Sequence, residues 1–158
     1  MRKRIISPIP QGPLPAEEAW LELGEIARVE ITSEESSRPV EGALLPGSNS
    51  GWRAAHPGEQ MLRLVFDEPM RIRRIHLLFI ETERERTQEF VLRWSPDGGR
   101  SFREIVRQQW NFSPPDSARE SEDYRVELAG VTMLELSIVP DKSGGEACAS
   151  LEQLRLGS

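Results

Sequence analysis

The chain of 158 residues has the length of one domain and carries 26 acidic against 20 basic side chains, a net charge of −6. Because an acidic protein has no net positive field to attract a phosphate backbone, the composition argues against nucleic-acid binding. The single cysteine, Cys148, excludes an internal disulfide, and no apolar run has the length of a signal peptide or a membrane span. We therefore expect a cytoplasmic protein that binds neither nucleic acid nor a membrane.

The first part of the chain predicts an extended arm followed by a short helix. Residues 1–15 contain four prolines and one glycine, a composition typical of an arm without regular structure. The next stretch, AEEAWLELG (residues 16–24), has acidic residues in its first turn and a glycine that can end a helix. We assign residues 1–25 to the arm and helix, and residues 26–157 to one domain.

From residue 26 onward the hydrophobic pattern has mostly a period of two, which is typical of strands. Two stretches rich in glycine, serine or proline predict long loops over residues 36–60 and 111–121. Eight segments predict strands: 26–33, 61–66, 71–81, 87–95, 101–110, 123–128, 132–139 and 149–156. No long helix interrupts them, so the pattern predicts an all-β fold, an antiparallel β-sandwich of jelly-roll type with about eight strands.

Several stretches resemble discoidin domains, also called coagulation-factor type C domains, of the galactose-binding-like superfamily. EFVLRWSPDGGRSFREI (residues 89–105) resembles their hairpin, in which an aromatic-rich strand ends in Ser-x-Asp-Gly and an aromatic residue opens the return strand. The matching stretches occur in the same order as in the family: ALLPGSNSGWRA (43–54), EQMLRLVFDEPMRIRRIHLLF (59–79) and VTMLELSIVPDKSGGEACASLEQLRLG (131–157). The resemblance covers about residues 26–157 and implies the sandwich shared with sugar-binding modules.

The hairpin turn at Asp97, Gly98 and Gly99 is interpreted as architecture. Aspartate forms local side-chain bonds in turns, and glycine adopts positive φ without steric cost. Catalytic motifs are missing from the sequence, which has no phosphate-binding glycine loop and no zinc-ligand spacing. His76 lies inside a predicted strand and is interpreted as structural, whereas His56 lies in the first long loop. We therefore predict that the protein is not an enzyme.

The resemblance also implies a question about calcium, because many sugar-binding relatives hold this ion in the first long loop. Their ligands include an aspartate before a glycine, backbone carbonyls and a glutamate in the last strand. Here Pro46 stands at the aspartate position and Gln153 at the glutamate position, although Glu41 and Glu152 lie nearby in the sequence. Since Ca²⁺ prefers several anionic oxygens, we predict no metal and no cofactor.

In the family, ligands bind to loops at one end of the sandwich, where aromatic faces cover sugar rings and polar groups bond the hydroxyls. The corresponding candidates are Trp52, Arg53 and His56 in the first loop, Arg84 and Arg86 in the turn ETERERT, and Trp110, Asn111 and Phe112 at the second loop. Trp52 also has a structural interpretation, as a ring packed under its own loop. Trp110 and Phe112 form either a lid on the core or an exposed platform. The arginines of the turn alternate with glutamates and also fit a self-paired, solvated turn.

These features predict a non-catalytic recognition domain, with a glycan as the ligand that the resemblance implies. The alternative is an intracellular adaptor domain that binds a protein through the same loops. An exposed platform of Trp110 and Phe112 would favour a sugar, and a broad apolar patch would favour a protein. The basic run Arg71, Arg73 and Arg74 fits an acidic partner or a solvated strand edge. The sequence does not determine the oligomeric state.

Overall fold

The computed structural model of the chain describes residues 20–47 and 50–158. The predicted arm over residues 1–15 and the first four residues of the predicted helix lie outside the described residues. The described part contains these elements: α1 Leu23–Ile26, β1 Ala27–Ile31, α2 Glu41–Leu44, β2 Trp52–Pro57, β3 Gln60–Ile80, β4 Arg86–Ser95, β5 Arg103–Phe112, β6 Arg119–Val139, β7 Cys148–Leu151 and β8 Gln153–Gly157. No helix among them has the length and apolar character needed to cross a membrane.

Two 21-residue strands, β3 and β6, pair antiparallel along most of their length and take part in both layers of a sandwich. The first half of β3 and the second half of β6 form one layer with β1, β4 and β5. The second half of β3 and the first half of β6 form the other layer with β8. All these pairs are antiparallel, so the predicted fold class is confirmed.

The two layers face each other across a core of alternating apolar side chains. Phe79 on β3 stacks on Phe90 on β4, with ring centroids 5.2 Å apart, although these strand segments are not paired. Both rings are fully buried. Such a contact between the inner faces is what a period of two predicts when every second residue points into the core.

The predicted breaks within β3 and β6 are wrong. Residues 67–69 were expected to end one strand, but the ladder of β3 continues through register shifts between Val65 and Arg74. In β6 the same corner lies near Gly130, whose φ of +72° is accessible to glycine at little cost. Where a strand bends between the two layers, its residues are polar and exposed, so the sequence there looks like a turn. Irregular pairing at such a bend changes the direction of the strand without ending it.

Two further strands differ from the prediction. β2 lies in the stretch expected to be a long loop, and it pairs with β7 through Trp52 and Leu151. The predicted last strand divides into β7 and β8 at Glu152, whose backbone N–H donates to the carbonyl of Leu78. β7 pairs with β2 and β8 with β3, so the division depends on partners that are distant in the sequence.

The described residues before β1 pack on the domain. Trp20 forms a bridge with Gly157, and the N–H of Leu21 donates to the carbonyl of Leu156 at 2.7 Å. Residues 20–22 therefore run along β8, and the predicted helix is wrong at these positions. The single turn of α1 begins at Leu23, which is 3% exposed and belongs to the core.

Candidate functional site

The ends of four strands meet at one end of the sandwich, which we call the loop end. Ile80 of β3 pairs with Arg119 of β6, and Arg86 of β4 pairs with Phe112 of β5. Two backbone hydrogen bonds join the connecting segments. The N–H of Glu81 donates to the carbonyl of Ala118, and the N–H of Lys142 donates to the carbonyl of Thr87, both at 2.8 Å. The connecting segments 32–47, 81–85, 113–118 and 140–147 therefore surround this end, as the resemblance implied for a ligand site.

The first of two recesses at the loop end contains one predicted site residue, Arg53. We call it the Arg53 recess, and its volume is about 370 Å³. Its lining comes from three separate parts of the chain and consists of Arg38, Ser50, Arg53, Ile80, Glu81, Thr82, Glu83, Ser150 and Glu152. Hydroxyl, guanidinium and carboxylate groups thus share one open cavity.

Ion pairs hold the two arginines of the Arg53 recess in place. Nε of Arg53 lies 2.8 Å from Oε2 of Glu35, and Nη2 of Arg38 lies 3.6 Å from Oε1 of Glu152. Backbone bonds join the same segments, because the N–H of Arg53 donates to the carbonyl of Arg38 at 3.1 Å. Gly51, with φ of +68°, permits this packing, since a Cβ there would lie 2.8 Å from Oε1 of Glu152.

The second recess contains Asn111, and we call it the Asn111 recess. It has a volume of about 390 Å³ and is lined by Glu85, Arg86, Thr87, Asn111, Phe112, Ser113, Asp141 and Ser143. Oδ1 of Asn111 accepts a hydrogen bond of 2.8 Å from the hydroxyl of Thr87. Asp141 accepts bonds from the hydroxyl and the N–H of Ser143 at 2.8 and 3.1 Å. Asn111 and Asp141 are therefore each held by bonds within the recess.

Trp52 and Phe112 are buried, which favours the structural interpretation of both rings over contact with a ligand. Trp52 has no exposed surface, and its Nε1 donates to the carbonyl of Ser33 at 3.0 Å. Phe112 is 2% exposed, and the guanidinium of Arg86 covers its ring at 4.7 Å. Both rings belong to the hydrophobic core, which is the structural alternative that the sequence had left open.

Arg86 is also buried and belongs to the core. Its Nε donates to Glu81 at 2.6 Å, and its Nη1 donates to the carbonyl of Pro140 at 2.9 Å and to Gln88 at 3.1 Å. Burial acts to raise the pKa of Glu81, but bonds from Arg86 and from two backbone N–H groups of the turn together lower it. These bonds favour a structural role for Arg86, although it also lines the Asn111 recess.

Three other predicted residues line neither recess. Arg84 is exposed on the turn between the recesses, and only its backbone N–H bonds to Glu81, at 3.2 Å. His56 is exposed near the end of β2, and Trp110 is half-buried against the core. His76, interpreted as structural, is half-buried, and this burial lowers its pKa. Neither recess, as described, is lined by an exposed aromatic ring.

The described residues do not fit a calcium ion at the first long loop. The Glu152 carboxylate, which would be an anionic ligand there, has the Arg38 guanidinium beside it. No group of three or more histidine, cysteine, aspartate or glutamate side chains placed to hold a metal occurs in residues 20–47 and 50–158. Ca²⁺ needs several anionic oxygens, and the Arg38 guanidinium opposes its binding at Glu152.

The hairpin turn lies at the opposite end of the sandwich, where the N–H of Gly98 donates to the hydroxyl of Thr132 at 2.9 Å. Asp97 accepts bonds from Ser95 and from the hydroxyl and N–H of Ser101, at 2.7 to 2.9 Å. These bonds lower the pKa of Asp97 to about 2. The interpretation of this turn as architecture is confirmed.

Sequence reasoning missed Arg38, Ser150 and Glu152 as members of the Arg53 recess. Arg38 lies in a stretch without periodicity, and the other two lie at the junction of β7 and β8. The only available signal was the length of the first loop, since long loops in compact domains are often functional.

The chain matches no family model, and no curated protein matches its sequence. Solved structures do share its fold. The family 32 carbohydrate-binding module of NanJ from C. perfringens, in complex with galactose, matches with a TM-score of 0.64 at 14% identity, over 89% of this chain and 98% of that chain.

Two further neighbours are also carbohydrate-binding modules. CpGH89CBM32-5 from Clostridium perfringens, in complex with GalNAc-β-1,3-galactose, has a TM-score of 0.63 at 19% identity, over 88% of this chain and 99% of that chain. The module of AlyQ, in complex with 4,5-unsaturated mannuronic acid, has a TM-score of 0.61 at 12% identity, over 84% and 95% of the two chains. These modules have the galactose-binding-like, discoidin-type fold, so the resemblance seen in the sequence is confirmed for the fold.

Proposed function

We propose that this chain is a non-catalytic carbohydrate-recognition domain that binds sugar hydroxyls in the Arg53 recess. The observation that carries the proposal is the convergence of three distant segments on one open, polar cavity at the loop end. The neighbours in complex with galactose, GalNAc-β-1,3-galactose and unsaturated mannuronic acid support a sugar as the ligand. That they are carbohydrate-binding modules supports a binding role without catalysis.

Paired charges in the Arg53 recess suit neutral hydroxyl groups. A guanidinium has five N–H donors, and the bond of Arg53 to Glu35 uses one of them. The carboxylate of Glu152 supplies hydrogen-bond acceptors. The hydroxyls of Thr82, Ser50 and Ser150 can each donate and accept a hydrogen bond. A sugar ring presents alternating donors and acceptors on neighbouring carbons, so fixed groups of both kinds match it.

Binding is expected to be weak, because no exposed aromatic ring among the described lining residues covers the apolar face of a sugar. Affinity then rests on hydrogen bonds, each worth about 1 kcal/mol net. About four such bonds correspond to a dissociation constant of about 1 mM. The binding is proposed to need no metal, since the Arg38 guanidinium lies beside the Glu152 carboxylate.

The test is a glycan array followed by titration calorimetry of the strongest hit, with and without a chelator. Arg53→Ala should weaken binding at least about tenfold, the loss of one or two charge-assisted bonds. Arg107→Ala is the matched control, because Arg107 has similar exposure, 47% against 39%, and pairs with Glu104 in the middle of β5.

Equal affinities of the two variants would contradict the placement in the Arg53 recess. An array without any hit, or a hit that gives no heat on titration, would contradict carbohydrate recognition itself. A protein partner whose binding is lost in Arg53→Ala would then support the adaptor function on the same loops.

A further inference from the structure

A third recess lies away from the loop end, on the outer face of the layer formed by β8, β3 and β6. It has a volume of about 490 Å³ and we call it the outer arginine recess. Its lining consists of Trp20, Arg73, Arg74, Arg125, Val126, Glu127, Gly157 and Ser158. It contains two arginines of the basic run noted in the sequence, and it has no role in the proposed function.

Strand register places two arginines opposite each other at this recess. Arg74 of β3 pairs with Arg125 of β6 on one side and with Gly157 of β8 on the other. Like charges directly opposite on neighbouring strands destabilise a sheet. Asp123 offsets this repulsion for Arg74, and an anionic ligand would offset it for Arg125.

The carboxylates near the recess are too few to pair every guanidinium. Glu127 is shared, since its oxygens lie 3.3 Å from Nε of Arg73 and 3.7 Å from Nη2 of Arg71. These two arginines are 50% and 62% exposed in their side chains, so water and ligands reach them. One carboxylate between two cations leaves one positive charge at this edge.

The other side of the recess repeats the excess of positive charge. Arg74 donates two bonds to Asp123, from Nε at 3.0 Å and from Nη2 at 2.7 Å. Arg125 is exposed and has no ion pair with any residue that the structure describes. Asp123 is thus the second carboxylate near the recess, and it lies beside two further arginines, Arg74 and Arg125.

An aromatic contact fixes the position of Arg74. Its guanidinium lies over the ring of Trp20, 4.5 Å from the centroid, while Asp123 holds the fork from the side. Cation–π contact and a two-pronged bond restrict the side chain before any ligand arrives, so little entropy is lost on binding. The wall of the recess that contains Arg74 is therefore formed before a ligand binds.

We propose that the outer arginine recess binds the carboxylate groups of an acidic oligosaccharide, as a second site on the same chain. The fork of Arg74 is already bonded to Asp123, but Arg125 is exposed and has no ion pair among the described residues, so its planar guanidinium can bind a carboxylate in a two-pronged geometry. Ile80 in the Arg53 recess and Arg74 in this one are six residues apart on β3, roughly 20 Å along the strand. One extended acidic glycan of that length spans both cavities. The inference rests on the proposed function and names its ligand class.

The experiment is calorimetric titration with oligogalacturonate and with a neutral galacto-oligosaccharide of equal length, in 50 mM salt. Wild type should bind the acidic oligomer about tenfold more tightly, and 500 mM salt should remove that preference because exposed charges are screened. Arg125→Ala should lower affinity for the acidic oligomer about five- to tenfold and leave the neutral oligomer unchanged. Arg28→Ala, an exposed arginine on β1 at 69% exposure, makes the same charge change and should have no effect.

Arg53→Ala separates the two proposals, since it should weaken both oligomers. If the neutral oligomer binds through Arg53 while Arg125→Ala changes nothing, the outer site is overturned and the proposed function stands. An effect of Arg28→Ala equal to that of Arg125→Ala would show a general charge effect and overturn the site. Binding of oligoglutamate as tight as that of oligogalacturonate would replace the glycan by an acidic peptide. If neither oligomer binds, both proposals fail.

Discussion

Nε of Arg86 donates a hydrogen bond of 2.6 Å to Oε1 of Glu81, and the two side chains are 1% and 14% exposed. The same guanidinium reaches Gln88, whose Nε2 donates to Glu120 at 3.1 Å. A buried polar chain therefore joins the turn after β3 to β4 and β6, across both layers. It holds the segments 81–85 and 140–147 in place beside the two recesses of the loop end.

Arg86→Ala should lower the free energy of unfolding by about 3–5 kcal/mol, because it leaves the buried Glu81 carboxylate without its cation. Urea unfolding measures the change. Arg84→Ala, two residues away and exposed, is the matched control and should change stability by no more than about 0.5 kcal/mol. Similar losses for the two variants would show that the buried pair contributes little.

Glu120 should make stability fall as the pH rises from about 4.5 to about 8. The carboxyl is fully buried, and burial together with Glu122 raises its pKa from 4.5 to about 8. In that window the folded protein keeps a proton that the unfolded chain has released, so deprotonation favours unfolding. The stability that the protonated Glu120 carboxyl contributes is fully present below pH 4.5 and is lost above pH 8.

Urea midpoints at pH 5 and pH 8 test this for Glu120→Gln, which carries no titrating proton. The variant should lose less stability than wild type between the two pH values. Glu104→Gln, with a side chain 47% exposed, is the control and should keep the pH dependence of wild type. An unchanged pH dependence in Glu120→Gln would assign the effect to another group.

Calcium should have almost no effect on thermal stability. Millimolar Ca²⁺ or a chelator should shift the melting temperature by less than about 1 °C, whereas a bound ion at one hundred times its Kd contributes about 2.7 kcal/mol, more than about 5 °C for this length. Arg38→Ala should cost about 0.5–1 kcal/mol by removing the cation beside Glu152. A clear drop in melting temperature with the chelator would show a metal site.

Trp52→Phe should reduce stability and leave ligand affinity unchanged. The smaller ring leaves a void in the core and removes the donor to the Ser33 carbonyl, at a cost of about 2–3 kcal/mol. Scanning calorimetry measures stability, and titration of the folded variant measures affinity for the array hit. A tenfold loss of affinity at a temperature where the variant is folded would place Trp52 in the site after all.

Alternation and turn chemistry predicted the fold class because both are local. The period of two identified most strand positions, and Asp97 with its two glycines marked a hairpin that forms as expected. Eight strands were predicted and eight occur in the described part, but the numbers agree only because two errors that added strands balance two that removed them. The breaks inside β3 and β6 were wrong, while β2 and the division between β7 and β8 were missed.

The tertiary structure decided which side chains are available to a ligand. Aromatic and arginine side chains are common in binding sites, but the positions of Trp52, Phe112 and Arg86 in their strands place these side chains in the interior. Arg53 meets Arg38 and Glu152 only because β2 pairs with β7, a contact between distant parts of the chain. The amino-acid sequence by itself determined the alternation of apolar and polar residues, which is a local property. That alternation predicts strands with one buried face, and such strands form a sandwich. Burial and pairing depend on which strands become neighbours. The sequence indicated Arg53 and Asn111, but which residues surround each of them followed from the folded structure.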